Sequence, residues 1–346
     1  MGRRKWKSRR KKRSGGLGFL LGMFLVAVLA AGGVGWLVLA PFGPEAETFV
    51  EVAPGSSTAT IGQQLEASGV VRSRFGFDLL RLWKRGTLRA GEYRFDHPAP
   101  ATEVYARIAR GDVYTKALVV PEGANIFDIA ARIEQAGFVT RQQFLDAAVE
   151  RTELVAGLDP GAKSLEGYLF PDTYRFARKT TPAQIAAAMV RRFRAVAGQL
   201  GLKENVHEVV TVASLVERET AVDSERPLVA SVFENRLGKK MPLMTDPAVI
   251  YGLELEGQWR GTLGKSDLAH DTAYNTYLHG GLPPGPVANP GVRSLKASME
   301  PAQTDYFYFV AAGTDAQGRS LFSSTLDEHN RQVAEYRRAL KKMGER

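Results

Sequence analysis

The chain has 346 residues, 44% hydrophobic and 24% charged, which is the composition of an ordered protein long enough for two or three domains. Its formal net charge of +9 would suggest a nucleic-acid partner, but nine of the 46 Lys and Arg residues lie within residues 1–15, where there is no acid. The remaining chain holds 37 basic and 37 acidic residues, so we expect no nucleic-acid partner. The absence of cysteine excludes thiol catalysis and cysteine-based metal sites.

The first predicted element is an apolar helix that follows the basic tail. Residues 17–40 contain no charged residue, and a helix of 24 residues rises about 36 Å, enough to cross a bilayer core of about 30 Å. Because basic residues stay in the cytoplasm, we expect a cytoplasmic tail at residues 1–15, a single span of the cell (inner) membrane at 16–41 and a periplasmic body. The alternative is a cleaved signal peptide, whose apolar region is shorter, about 7–15 residues.

An internal repeat follows the apolar segment. The stretches 50–71 and 118–139 match at a fixed offset of 68 residues, in the pairs Gly55 and Gly123, Ile61 and Ile129, Leu65 and Ile133, Gly69 and Gly137, and Val71 and Val139. Each copy has the pattern of a strand, a Pro/Gly turn and a helix that ends at glycine. We therefore predict two small strand–helix modules, at residues 48–117 with an extension and at 118–160 with a helical connector.

The remaining residues, 161–346, are predicted to form a mixed α+β domain, so the expected fold class is α+β. Hydrophobic spacing predicts strands at 90–95 and 306–311. It predicts single helices at 102–110 and 329–343 and two helices within 204–236. The stretch 141–200 is predicted to be mostly helical, with an interruption at 157–174. The segment 245–291 is rich in Gly, Pro, Asn, Tyr and Thr. An irregular segment of this length is typical of a functional loop.

Motifs for metal or nucleophile chemistry are missing from the sequence. The five histidines show no HExxH spacing, no serine lies in a GxSxG motif and no glycine-rich loop has the phosphate-binding form. We therefore predict no metal and no cofactor, and a chemistry that rests on carboxylates.

The strongest candidate for such chemistry is Glu217, in the helical segment 209–220. At about 100° per residue, Glu217 shares a face with Val206, Val210, Ala213 and Ala221. An apolar environment raises the pKa of a carboxyl group and makes it a usable general acid. The alternative is a buried glutamate paired with an arginine. Glu219 falls on the opposite face, where we expect it, with Arg218, to make surface or supporting contacts.

The segment Ala213–Thr220 (ASLVERET) resembles the catalytic helix of the endolytic murein transglycosylases, the MltG (YceG-like) family. Other segments that agree with the family in order and spacing are LEGYLFPDTY at 165–174, SVFENRL at 231–237, TDPAVIYG at 245–252, YNTY at 274–277, GLPPGPVANPG at 281–291 and FSSTLDEHN at 322–330. The resemblance runs from the apolar helix to the C-terminal helix. It implies that Glu217 is the catalytic residue and that the small modules are LysM-like.

The resemblance also implies an activity. It is that of a lytic transglycosylase that cleaves the MurNAc–GlcNAc bond of nascent peptidoglycan endolytically, forms 1,6-anhydro-MurNAc ends and terminates strand elongation. Glu217 would protonate the glycosidic oxygen and then act as base on the MurNAc 6-hydroxyl. The expected partners are glycan strands, the membrane and peptidoglycan synthases. The alternatives are a non-enzymatic peptidoglycan-binding membrane scaffold and a lysozyme-type hydrolase that adds water.

A second set of residues is predicted to bind the substrate: Asp246, Tyr251, Tyr274, Asn275, Thr276, Tyr277 and Asn289. Asp246 is the best second carboxylate, although an Asp-Pro turn or a helix cap explains it more simply. The polar and aromatic side chains at 274–277 suit sugar rings and N-acetyl groups, but packing and turn formation explain them equally well. The proline-rich segment 281–291 is expected to form a rigid wall of the groove.

Overall fold

The structure is a computed structural model that describes residues 15–312 and 318–344, so nearly all of the predicted basic tail lies outside the described residues. Within these ranges the chain is a mixed α+β protein, as predicted, and its strands form three antiparallel pairs. It divides into two compact units, Met1–Thr115 and Lys116–Arg346. The earlier division into a tail, a span, two modules and a catalytic domain stays a prediction.

The first unit begins with the long apolar helix. Its elements are α1 (Gly15–Leu39), β1 (Thr48–Val52), α2 (Thr58–Ala67), α3 (Arg74–Lys84), β2 (Gly91–Phe95) and α4 (Ala101–Arg110). Residues Gly18–Leu39 of α1 form a helix of 22 residues that is long and apolar enough to cross a membrane, and a signal sequence would have the same properties. β1 pairs with β2, and the helices cover this ribbon around a core that includes Leu65, Phe77 and Tyr93.

The second unit holds the rest of the described chain. Its elements are β3 (Lys116–Val119), α5 (Ile126–Gln135), α6 (Arg141–Glu150), β4 (Thr173–Phe176), α7 (Pro182–Leu200), α8 (Val206–Glu219), α9 (Arg226–Gly238), α10 (Asp246–Leu255), α11 (Lys265–Leu268), α12 (Val292–Met299), β5 (Tyr308–Ala311), β6 (Ser320–Ser323) and α13 (Leu326–Gly344). Short 3₁₀ helices lie at Thr152–Leu154 and Asp223–Glu225. α8 is central, since it packs against α9, α10 and α12.

The internal repeat is a strand–turn–helix unit in both copies, as predicted. β1 leads through Gly55 into α2, and β3 leads through Gly123 into α5, with φ angles of +80° and +77° at the two glycines. Left-handed backbone at the turn favours glycine, which accounts for the recurrence of this residue in both copies. Whether the units are LysM-like stays a prediction.

The second copy does not form a core of its own. β3 pairs with β4, more than 50 residues later in the chain, and Leu118 and Ile133 lie in the same hydrophobic core as Phe193 of α7. The segment 245–291 is also more regular than predicted, because α10 and α11 lie within it. α10 begins at Asp246, directly after the irregular stretch 239–245. Pro247 in the first turn of α10 suits a helix start, since proline lacks the N–H that would be unpaired there.

Candidate active site

Glu217 lies in a buried ion pair. Its Oε1 accepts a hydrogen bond from Arg226 Nη1 at 2.8 Å, and its Oε2 accepts one from the Gly291 N–H at 2.9 Å. Both side chains of the ion pair are only 5% exposed. Both oxygens of the carboxylate therefore have protein donors, and the pair links α8 to the first residue of α9 and to the residue that precedes α12.

This environment differs from the apolar stripe on which the case for Glu217 as an acid rested. That prediction was wrong about the surroundings, and the alternative of a glutamate paired with arginine is what the structure shows. The physical reason is that α8 is buried on every side from Val210 to Val216, so its apolar residues do not define one face. A helical projection of such a helix cannot tell which carboxyl lacks a partner.

Glu219, the last residue of α8, is half-buried and lies among polar and charged groups, yet its carboxyl has the raised pKa that was expected of Glu217. Burial raises the pKa of the Glu219 carboxyl to about 7, and the negative charge of Asp246 also raises it. The nearby Thr245 hydroxyl and the cations of Arg236 and Arg218 act in the opposite direction on this pKa. A carboxyl group with a pKa near 7 is protonated in about half of the molecules at neutral pH, so it can give and take a proton.

Glu219 is less exposed than its place on the outward side of the helical projection predicted, and its assignment to surface or supporting contacts stays a prediction that the raised pKa does not favour. Glu219 is partly buried, and Thr245, directly before α10, and Arg236 are close enough to lower its pKa. Arg236 is held in place by hydrogen bonds from its Nε to the Phe307 carbonyl and from its Nη1 to the Leu243 carbonyl, both at 2.7 Å.

Two predicted binding residues, Asp246 and Tyr277, lie near Glu219. The Tyr277 hydroxyl donates to Asp246 Oδ1 at 2.7 Å, and Asp246 is exposed. Thr276 fixes this arrangement, since its Oγ1 accepts from the Thr245 N–H at 3.0 Å and thereby ties the loop to the start of α10. The result is a polar, partly exposed site of two carboxyls and one phenol at the end of α8.

The other predicted binding residues support the site from within the protein. Asn275 and Asn289 are fully buried, and their side-chain amides donate to backbone carbonyls at distances of 2.8–3.0 Å. Tyr251 is buried as well and packs edge-on against Tyr274, with ring centroids 5.0 Å apart. Tyr274 is partly exposed, and burial of its ring raises the pKa of its hydroxyl to about 12. Among these four side chains only that of Tyr274 could touch a ligand without rearrangement.

Glu166 is a second unusual carboxyl that the sequence patterns did not single out. It is fully buried, and its Oε2 accepts from the Ile126 N–H at 2.8 Å while its Oε1 accepts from Asn289 Nδ2 at 2.7 Å. Burial raises its pKa to about 8, although hydrogen bonds from the Ile126 N–H and the Tyr251 hydroxyl partly offset the effect. Glu166 connects α5 to the proline-rich segment and does not reach solvent.

No group of three or more His, Asp or Glu side chains in the described ranges has the arrangement of a metal site. The groups at this site that can exchange protons are the carboxyls of Glu219 and Asp246, with the Tyr277 hydroxyl beside them. Fold and site together define a mixed α+β protein with an acidic site at the end of a buried helix.

Comparison with known proteins identifies the family to which the chain belongs. The model of the YceG-like family matches residues 50–335. A Bacillus subtilis protein named endolytic murein transglycosylase is 33% identical, over 86% of this chain and 88% of its own length. A protein of the same name from Streptococcus pneumoniae is 30% identical, over 91% of this chain and 64% of its own length. The chain belongs to the YceG-like family, as the sequence motifs indicated.

A solved structure supports the fold. The crystal structure of a YceG-like protein from Listeria monocytogenes is similar to this chain, with a TM-score of 0.54 and 30% sequence identity. The similarity covers 83% of this chain and 99% of the Listeria chain.

Proposed function

We propose that the protein is a lytic transglycosylase of peptidoglycan and that Glu219 is its acid/base. Family membership and the names of the two relatives support the activity. The observation that carries the residue assignment is the contrast between two glutamates on one helix. Glu217 has both oxygens occupied by protein donors, whereas Glu219 has a pKa near 7 and faces a partly exposed site.

In this mechanism the protonated Glu219 donates its proton to the oxygen between MurNAc and GlcNAc as that bond breaks. The resulting carboxylate then takes the proton of the MurNAc 6-hydroxyl, whose oxygen closes on C1 to form the 1,6-anhydro ring. Because the nucleophile belongs to the substrate, one carboxyl can serve both steps, whereas ordinary glycosidases use two. Burial raises the Glu219 pKa, the negative charge of Asp246 raises it further, and Tyr277 holds Asp246 in position.

The experiment that tests the activity is digestion of purified peptidoglycan, followed by mass spectrometry of the fragments. We expect internal cuts and fragments that end in 1,6-anhydro-MurNAc. Fragments heavier by one water would instead identify a lysozyme-type hydrolase, and no cleavage by a folded protein would favour a non-enzymatic scaffold.

The pKa of Glu219 predicts the pH dependence of cleavage. The reaction needs the protonated acid, so kcat/KM should fall tenfold per pH unit as the pH rises above about 7. Asp246→Asn removes a negative charge that raises this pKa, so the alkaline limb should move to lower pH. The measurement is a pH–rate profile of both proteins on the same peptidoglycan. An unmoved limb in Asp246→Asn would argue against coupling between the two carboxyls.

We further propose that α1 is retained as a single-pass anchor, with the N-terminus in the cytoplasm and both folded units outside it. A helix of 22 residues is about 33 Å long, which matches a bilayer core of about 30 Å. A tethered enzyme meets newly made glycan strands at the membrane at a raised effective concentration. Internal cuts in these strands would terminate their elongation, and peptidoglycan synthases would be neighbours of the enzyme.

Protease treatment of spheroplasts tests the anchor. We expect the folded units to be digested from outside, while an epitope at the N-terminus stays protected and remains in the membrane fraction. A full-size body recovered in the soluble fraction, without residues 1–40, would show that α1 is a cleaved signal peptide.

A further inference from the structure

Helix α3 of the first unit exposes a large apolar face. Its exposed side chains are Phe75, Leu79, Leu82 and Trp83, with 66%, 43%, 72% and 77% of their surface exposed. At about 100° per residue these four lie within one sector of roughly 100°. The other side of α3 is buried in the core through Phe77 and Leu80. Exposed apolar residues in one contiguous patch, on a helix that already has a buried core face, mark an interaction surface.

This apolar face is continuous with the end of α1. Gly76 of α3 lies against Leu37 and Val38, such that a Cβ at Gly76 would be 3.6 Å from the Leu37 carbonyl oxygen and 3.7 Å from Val38 Cγ2. An apolar groove between the two helices is lined by Val34, Val38, Leu39, Leu79, Leu80 and Trp83. α1 ends at Leu39, so an anchor formed by α1 would leave the bilayer beside α3.

The charges around α3 match a surface of anionic lipid. Residues 72–89 contain six Arg or Lys residues and one acid, Asp78. Lys84, Arg85 and Arg89 are exposed, whereas the Arg72 guanidinium lies 3.9 Å from the centre of the Trp36 ring of α1. Tryptophan and basic residues at the end of an apolar helix are typical of the boundary between acyl chains and headgroups.

We propose that α3 is an interfacial helix that lies in the extracytoplasmic surface of the phospholipid bilayer. Phe75, Leu82 and Trp83 enter the acyl region, and Lys84 and Arg85 contact the phosphates of anionic lipids. This inference rests on the proposed anchoring by α1. With two attachments instead of one, the unit Met1–Thr115 has a fixed orientation on the membrane and cannot swing about the end of α1.

The test uses the full-length chain, which contains no cysteine, so a single introduced cysteine can carry a spin label. Leu82→Cys probes the proposed face, Ala59→Cys probes an exposed site on α2, and Val28→Cys probes the middle of α1. Each protein is reconstituted into vesicles of phosphatidylethanolamine and phosphatidylglycerol. Electron paramagnetic resonance then measures collisions of the label with oxygen, which concentrates in lipid, and with a water-soluble nickel chelate present on both sides.

We expect the label at position 82 to collide several-fold less with the nickel chelate than the label at position 59, and more with oxygen. Equal access of the chelate at the two positions, with position 28 in lipid, would overturn the inference and leave the anchor standing. Access of the chelate at position 28 would overturn the anchor itself. Protection of position 82 from both reagents would show that a protein covers the face, which also overturns the inference.

Discussion

Replacing Glu219 by glutamine is expected to abolish strand cleavage while the protein remains folded. Glutamine keeps the size of the side chain but cannot give a proton to the leaving oxygen. The loss of general acid–base catalysis should lower kcat/KM by about 10²–10⁴-fold at least. Cleavage of purified peptidoglycan by Glu219→Gln and by the wild type measures this effect. In cells that depend on Glu219→Gln, the glycan strands should be longer than normal.

Glu217→Gln is the matched control for this experiment. It makes the same chemical change on the same helix, two residues away, and per folded molecule it should retain most of the activity. The opposite pattern is an inactive but stable Glu217→Gln protein and an active Glu219→Gln protein. It would show that Glu217 is the acid/base, as the resemblance to the family implies.

The largest expected effect on stability is at the ion pair of Glu217 and Arg226. Removal of one partner leaves the other charge buried and uncompensated, which generally costs about 3–5 kcal/mol. We expect Glu217→Gln to lower the free energy of unfolding by about 3 kcal/mol, the lower end of this range. The reason is that Asp223 Oδ1 remains 3.3 Å from Arg226 Nε and compensates part of its charge. Denaturation in urea, followed by circular dichroism, measures the loss.

A double mutant separates this explanation from a simple packing defect. Glu217→Gln combined with Arg226→Met removes both charges, so it should recover a large part of the stability that Glu217→Gln loses. If the double mutant loses as much free energy of unfolding as Glu217→Gln and Arg226→Met lose together, the ion pair is not the cause of the instability. Activity per folded molecule should stay near that of the wild type in both proteins.

The helices and the family could be predicted from the sequence, but the choice between two glutamates could not. Periodicity identifies α8 because valine, alanine and leucine recur along it, and the motif around it is specific. The partner of Glu217 is Arg226, which lies beyond a turn on the next helix, and Gly291 is 74 residues away. Ion pairs between separate elements depend on tertiary packing, which no local pattern reports.

The same limit applies to the proposed substrate residues. Asn275 and Asn289 are polar and lie next to prolines and aromatic residues, a composition that suits a sugar-binding loop. In the structure both amides satisfy buried backbone groups, as loops in a protein interior require. Asp246 and Tyr277 could be singled out because their motifs resemble the family, but their hydrogen bond joins residues 31 positions apart.

The position of Glu219 as the final residue of α8 has an electrostatic consequence of its own. The aligned peptide dipoles of a helix place partial negative charge at its C-terminal end, where they disfavour a carboxylate by about 0.3–1 kcal/mol. The backbone of α8 therefore helps to keep this acid protonated, in addition to burial and Asp246. At the first turn of a helix the same dipoles would stabilise the anion, and a glutamate there would be a poorer proton donor.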